Sequence, residues 1–243
     1  MPAIVAHRGA SATHPENTRA AFDAALAAGA DGIELDVQLS RDGVPVVYHD
    51  RTLTRAGGGR RYVSSATADE IAALATGGEP VPTLRDVLVR YSPRTRLLVE
   101  LKVHRRDRDA GRISRLAEAV ARELDAAGCA ARVFALSFDL DTLVLLGELS
   151  PATATFLNRG RPRPRRRALE RCLAPVAGLS VDVRIVSPEL VATAHAAGKP
   201  VLVWTCNHRP AVGAALASGA DGILSDRPQW LRRTVAELSG KLG

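Results

Sequence analysis

Eight short apolar runs recur along the chain, and Ala- and Leu-rich amphipathic stretches separate most of them. The runs cover residues 3–7, 32–37, 96–102, 132–137, 153–157, 179–183, 200–205 and 222–225, each of strand length. Helical patterns lie between them at 18–28, 112–127, 141–149, 188–197 and 210–218. Gly29, Gly128, Gly198 and Gly219 stand where a helix ends in left-handed backbone. A strand followed by a helix crossover returns parallel to its predecessor, so the alternation predicts a parallel sheet. Eight such units in 243 residues match a closed (β/α)8 TIM barrel, an α/β fold, as one domain over residues 1–243. An open doubly wound sheet is the competing arrangement, but its G-x-G-x-x-G turn is missing.

Two segments break the alternation. Residues 37–50, VQLSRDGVPVVYHD, put β-rich arms around Asp42-Gly43, a hairpin signal. A two-residue loop there pairs Arg41 with Val44 and sets His49 opposite Asp36. Residues 34 and 36 share a face because the strand period is two, so Glu34, Asp36 and His49 are expected to cluster. Residues 51–95 form a longer connection with helical patterns at 67–75 and 83–91, read as a small insertion after the second strand.

Composition narrows the classes. Hydrophobic content of 46% and charged content of 24% suit a globular core. Cys129, Cys172 and Cys206 are far apart and odd in number, which fits neither a disulfide framework nor a metal spacing and predicts a cytoplasmic setting. The N-terminus has no signal-peptide pattern, and no apolar run is long enough for a membrane span. The net charge of +7 rests on arginine, since the lysines are Lys102, Lys199 and Lys241 alone. Residues 159–171, NRGRPRPRRRALER with its leading Asn158, concentrate that charge. Without interleaved aromatics for base stacking, the stretch reads as a solvated, Pro-broken loop entering a helix, and no nucleic-acid partner is expected.

In a barrel of this kind reactive side chains sit at the carboxyl ends of strands. Those ends carry His7-Arg8, Glu34-x-Asp36, Glu100-x-Lys102, Ser137-Phe138, Asp182, Trp204 and Asp226. Glu34, Asp36 and Glu100 would repel one another unless a cation intervened, and hard oxygen ligands suit Mg²⁺ or Ca²⁺. Arg8 offers a planar fork for a phosphate, and Lys102 adds a point charge. His7 and His49 can exchange protons near neutrality. Phosphodiester hydrolysis needs these functions together. Each residue also has a plainer role: Glu100–Lys102 as a salt bridge, Asp50 orienting His49, Trp204 as packing or as a ligand-site wall with Phe138.

The residues resemble the glycerophosphodiester phosphodiesterase family. The likeness rests on His7-Arg8-Gly9, Pro15-Glu16-Asn17-Thr18, Glu34-Leu35-Asp36-Val37, Asp42-Gly43 and Val46-Val47-Tyr48-His49-Asp50. It continues through Pro82-Thr83-Leu84, Glu100-Leu101-Lys102, Ser137-Phe138-Asp139, Trp204-Thr205-Cys206-Asn207, Ala220-Asp221-Gly222-Ile223 and Asp226-Arg227-Pro228. The resemblance implies a TIM barrel and metal-dependent cleavage of glycerophosphodiesters, such as glycerophosphocholine or glycerophosphoethanolamine, into glycerol 3-phosphate and an alcohol. It implies one divalent metal on Glu34, Asp36 and Glu100, His7 and His49 as acid and base, and Arg8 and Lys102 on the phosphate. Direct attack by water and a cyclic-phosphate route through the glycerol hydroxyl both stay open. Cys206 departs from the family pattern and is expected to put a thiol near the mouth, and the arginine stretch lies outside that pattern. Two alternatives differ in outcome. A lysophospholipase D would need an apolar groove for an acyl chain. A non-catalytic phosphodiester-binding barrel would release no product.

Overall fold

The computed structural model describes residues 1–104 and 110–240. Eight parallel strands close into a barrel: β1 (Ala3–His7), β2 (Gly32–Leu39), β6 (Arg96–Leu101), β7 (Val133–Ser137), β8 (Ala154–Arg159), β9 (Gly178–Asp182), β10 (Val201–Trp204) and β11 (Gly222–Ser225). Closure comes from β1, which pairs with β11 on one side and β2 on the other. The TIM barrel expected from the alternation is therefore present. Among the described residues, three short strands lie outside the ring: β3 (Pro45–Val47), antiparallel on β2, and the hairpin of β4 (Ala75–Thr76) and β5 (Glu79–Pro80).

Helices α1 (Arg19–Ala27), α3 (Leu84–Tyr91), α4 (Ala110–Ala126), α5 (Leu140–Leu149), α6 (Arg166–Leu173), α7 (Pro188–Ala196), α8 (Arg209–Ser218) and α9 (Pro228–Ser239) follow barrel strands, and α2 (Ala68–Ala72) belongs to the insertion. Their starts are written in the sequence. Thr18, Asp139 and Ser187 accept backbone N–H bonds as N-caps, and Thr83 forms a full capping box with Asp86. Gly29, Gly128, Gly198 and Gly219 all have positive φ, as expected for helix exits. No described helix is long and apolar enough to cross a membrane.

Two apolar layers follow from the strand period. One set of side chains packs under the helices, including Ile33, Leu35, Val99, Leu157 and Val203. The other set, Val5, Leu98, Leu136, Phe156, Leu202 and Leu224, fills the barrel interior. Two residues farther along the same faces come His7, Glu100, Phe138, Asn158, Trp204 and Asp226. The interior floor is thus apolar, and the polar side chains rise above it at the carboxyl ends of the strands.

The insertion divides in two. Leu53, Val63, Ile71 and Val81 form a satellite cluster with Val46 and Tyr48, whereas α3 joins the main core through Leu84, Val87, Leu88 and Tyr91.

The β2–β3 hairpin corrects one expectation. Val37 pairs with Val47 and Leu39 with Pro45, and Tyr48 N–H bonds the Asp36 carbonyl at 2.9 Å. Tyr48, not His49, therefore lies opposite Asp36. The turn holds three residues rather than two, with Gly43 at φ +82, and that extra residue slips the register by one. β3 itself ends at Val47, so His49 reaches the site from the loop beyond the strand.

Candidate active site

The site begins with a strained turn. Arg8 has φ +56, and Gly9 follows at φ +83. A Cβ on Gly9 would stand 2.7 Å from the Ala21 backbone, so only glycine lets α1 approach this closely. The turn points the Arg8 N–H at Glu34 Oε2 (3.0 Å) and its Nε at Asp36 Oδ2 (3.0 Å). Asn17, left-handed at φ +59, donates from Nδ2 to Asp36 Oδ2 at 2.9 Å. The motif around Asn17 thus orients the central carboxylate.

Register assembles the rest. His7 pairs with Glu34 across β1 and β2, and Asp36 pairs with Glu100 across β2 and β6. Ligand oxygens of Glu34, Asp36 and Glu100 lie within 4.8 Å of one another. Lys102 Nζ stands 3.2 Å from Asp36 Oδ1 and 3.1 Å from Glu100 Oε1. Glu34, Glu100 and Lys102 border a cleft of about 200 Å³, joined by His7, Arg8, His49, Phe138, Asn158 and Trp204. Phe138 and Trp204 meet edge to face with centroids 5.8 Å apart. His7, Arg8, Glu34, His49, Glu100, Lys102, Phe138 and Trp204 all line this cleft and Asp36 joins its acidic cluster, whereas Ser137, Asp182 and Asp226 do not line it.

Electrostatics set the three carboxyls apart. Burial and the Asp36 charge push Glu34 up to about 8. Burial also raises Glu100. Against its own burial, the Lys102 and Arg8 charges hold Asp36 far below the usual carboxylate range. Ionising three carboxyls this close together is costly, and a further cation would offset that cost. Asp36 Oδ1 is buried and has Lys102 nearby but no aligned hydrogen bond. An all-oxygen donor set with an orphaned buried carboxylate oxygen fits a hard divalent cation.

The two imidazoles differ in environment. Burial pulls His7 down, but its hydrogen bond to Asp226 and the Glu34 charge outweigh this, and its pKa is raised. His49 is lowered by burial together with the Lys102 and Arg8 charges, despite help from Asp36 and Asp50. Each ring is anchored through Nδ1, His7 to Asp226 Oδ1 at 2.6 Å and His49 to Asp50 Oδ1 at 2.8 Å. Asp226 is in turn gripped by Asn207 Nδ2 at 2.5 Å and Ser11 Oγ at 3.1 Å.

Several contributors escaped the sequence reading. Glu16 accepts from Arg8 at 3.2 Å and meets Arg55 at 2.8 Å, and Arg55 Nε donates to Asp50 at 3.1 Å. The apolar run of the fifth barrel strand ends at residue 157, two residues short of the end of β8, so Asn158 carries no hydrophobic signal. Asp226 and Asn207 stood in motifs at strand ends, which was the available signal. Cys206 departs from expectation. It is fully buried, its Sγ faces the Ala211 carbonyl, and it presents no thiol to the mouth.

Comparison with known proteins agrees with this geometry. The model of the Glycerophosphoryl diester phosphodiesterase family matches residues 7–230. A glycerophosphodiester phosphodiesterase of Caldanaerobacter subterraneus is 32% identical over 96% of this chain and 97% of its own. The crystal structure of a glycerophosphodiester phosphodiesterase from Parabacteroides distasonis superposes with a TM-score of 0.85 at 26% identity, covering 98% of each chain. An Oleispira antarctica phosphodiesterase solved with its product sn-glycerol-3-phosphate has a TM-score of 0.82 at 28% identity, covering 97% of each chain. By sequence, barrel and cleft together, the chain belongs to the glycerophosphoryl diester phosphodiesterase family and is an enzyme of the phosphodiester hydrolase class.

Proposed function

We propose that the chain hydrolyses glycerophosphodiesters to glycerol 3-phosphate and an alcohol, with one divalent metal, Mg²⁺ or Ca²⁺, held by Glu34, Asp36 and Glu100. The observation that carries this reading is the convergence of those three carboxylates beside two cations and two oppositely tuned imidazoles. When bound, the cation would polarise a phosphoryl oxygen and make a hydroxyl or water it meets more acidic.

The chain's own groups supply the rest. Arg8 and Lys102 orient the phosphate and offset its growing charge. His49, biased toward the neutral form, takes the proton from the attacking hydroxyl or water. His7, biased toward the protonated form, delivers one to the departing alkoxide. Opposed shifts of this kind are what assign base and acid in a pair. Asp50 and Asp226 hold the two rings in orientation. A cleft of about 200 Å³ is smaller than the ~300–1,000 Å³ usual for drug-sized ligands and suits a head-group-sized diester better than an acyl chain.

The test is a coupled assay for glycerol 3-phosphate over a panel of glycerophosphodiesters, with and without chelator. Release that depends on added divalent metal supports the reading. Undiminished release after exhaustive chelation overturns the metal's role.

A further inference from the structure

His49 reaches the site without strand support, because β3 ends at Val47 and the imidazole follows two residues later in a loop. A reacting group displaced by about 1 Å loses much of its effect, on the order of 10²-fold. The loop therefore needs a brace. Among the described residues, the hydrogen bonds single out Gln38.

Gln38 continues the face of β2 that carries Glu34 and Asp36, since residues two apart share a side. It is 1% exposed. Its Nε2 donates to the Tyr48 carbonyl at 2.7 Å and to the Asp50 carbonyl at 2.8 Å. Carbonyl oxygens only accept, so the amide nitrogen must stand on this side and Oε1 on the other. That Oε1 lies 3.0 Å from His104 Nε2. An amide oxygen also only accepts, so His104 carries a proton on Nε2. One buried side chain thus joins two parts of the site. It pins the backbone immediately before and after His49, and it meets the chain just beyond β6, two residues after Lys102. The anchor of the His49 ring, Asp50, itself sits on backbone that Gln38 holds. An apolar side chain of the same length could not do this, because the position must donate twice and accept once.

We propose that Gln38 is a positioning residue for the reaction: it fixes the His49 loop beside the Asp36, Glu100 and Lys102 side of the site, and His104 sets the orientation of its amide. This rests on the base role given to His49 above. Gln38 does not itself line the cleft. Its loss should therefore disturb the placement of the base and spare the holding of the phosphate.

The test compares the full chain with Gln38→Met, which keeps the length and removes both the donor and the acceptor. Three properties are measured: steady-state kinetics on glycerophosphocholine with divalent metal, calorimetric binding of glycerol 3-phosphate to the metal-loaded protein, and the side-chain NMR signals of His7 and His49. We expect kcat to fall by about tenfold or more, with KM and the glycerol 3-phosphate Kd within about twofold. The His49 signals should shift or broaden while those of His7 stay in place. Unmoved His49 signals, or a kcat within about twofold of wild type, overturn the proposal. Weakened glycerol 3-phosphate binding with both sets of ring signals displaced shows a merely structural role and overturns it as well. Should Gln38→Met fail to fold, His104→Ala answers the same question. It should lower kcat by about threefold, the effect of one lost hydrogen bond, and move the His49 signals. An unchanged kcat or unmoved His49 signals in that variant overturn the proposal. Absence of turnover by the wild type with any divalent metal sinks the hydrolase reading, and the ring signals then still decide whether Gln38 positions His49.

Discussion

His7 Nδ1 lies 2.6 Å from Asp226 Oδ1, a contact between residues 219 positions apart. Barrel closure makes it, because β1 pairs directly with β11 in the register Ala6–Ser225. Asp226→Ala should therefore act through His7. We expect kcat to fall by about 10²-fold with little change in KM, the loss of a positioned proton donor rather than of substrate binding. A matching rise in KM would place Asp226 in substrate binding instead.

Chelation should abolish activity, and Mg²⁺ or Ca²⁺ should restore it. Metal should also raise Tm, since a cation bound only by the folded chain stabilises it by mass action. Asp36→Asn should lower kcat/KM by about 10³-fold or more and remove the metal-dependent rise in Tm. Calorimetric titration of metal into both forms checks this without relying on turnover.

Arg55 links Glu16, which holds Arg8, to Asp50, which holds His49. Its side chain is 47% exposed, so its ion pairs contribute little stability, about 0–1 kcal/mol. Arg55→Ala should leave Tm within a few degrees yet lower kcat/KM by about tenfold, because Arg8 and His49 lose their common brace. Steady-state kinetics beside a melting curve separates the two effects.

Cys206 is buried, and burial pushes its thiol up to about 12. At pH 8 it stays protonated and shielded, and buried Cys129 is raised by burial too. Of the three cysteines, only the partly exposed Cys172 should react quickly with a thiol reagent in the native protein, and all three after denaturation. Rapid native labelling of Cys206, read by mass spectrometry, would contradict its burial.

The sequence alone determined the barrel, because a strand–helix alternation repeated eight times has few other parallel solutions. It also marked the candidate site residues, since HRG and E-x-K stand at strand ends, E-x-D lies within β2 where the strand period turns it inward, and HD follows the short β3. What only the tertiary structure decided were relationships set by register and closure. A single extra turn residue moved Tyr48 opposite Asp36, and His49 came in from a loop. Two residues of β8 beyond the apparent apolar run placed Asn158 in the cleft, because a polar side chain facing the mouth leaves no hydrophobic signal. The partnerships of His7 with Asp226 and of Arg55 with Glu16 and Asp50 join distant segments, and no local pattern encodes contacts of that kind.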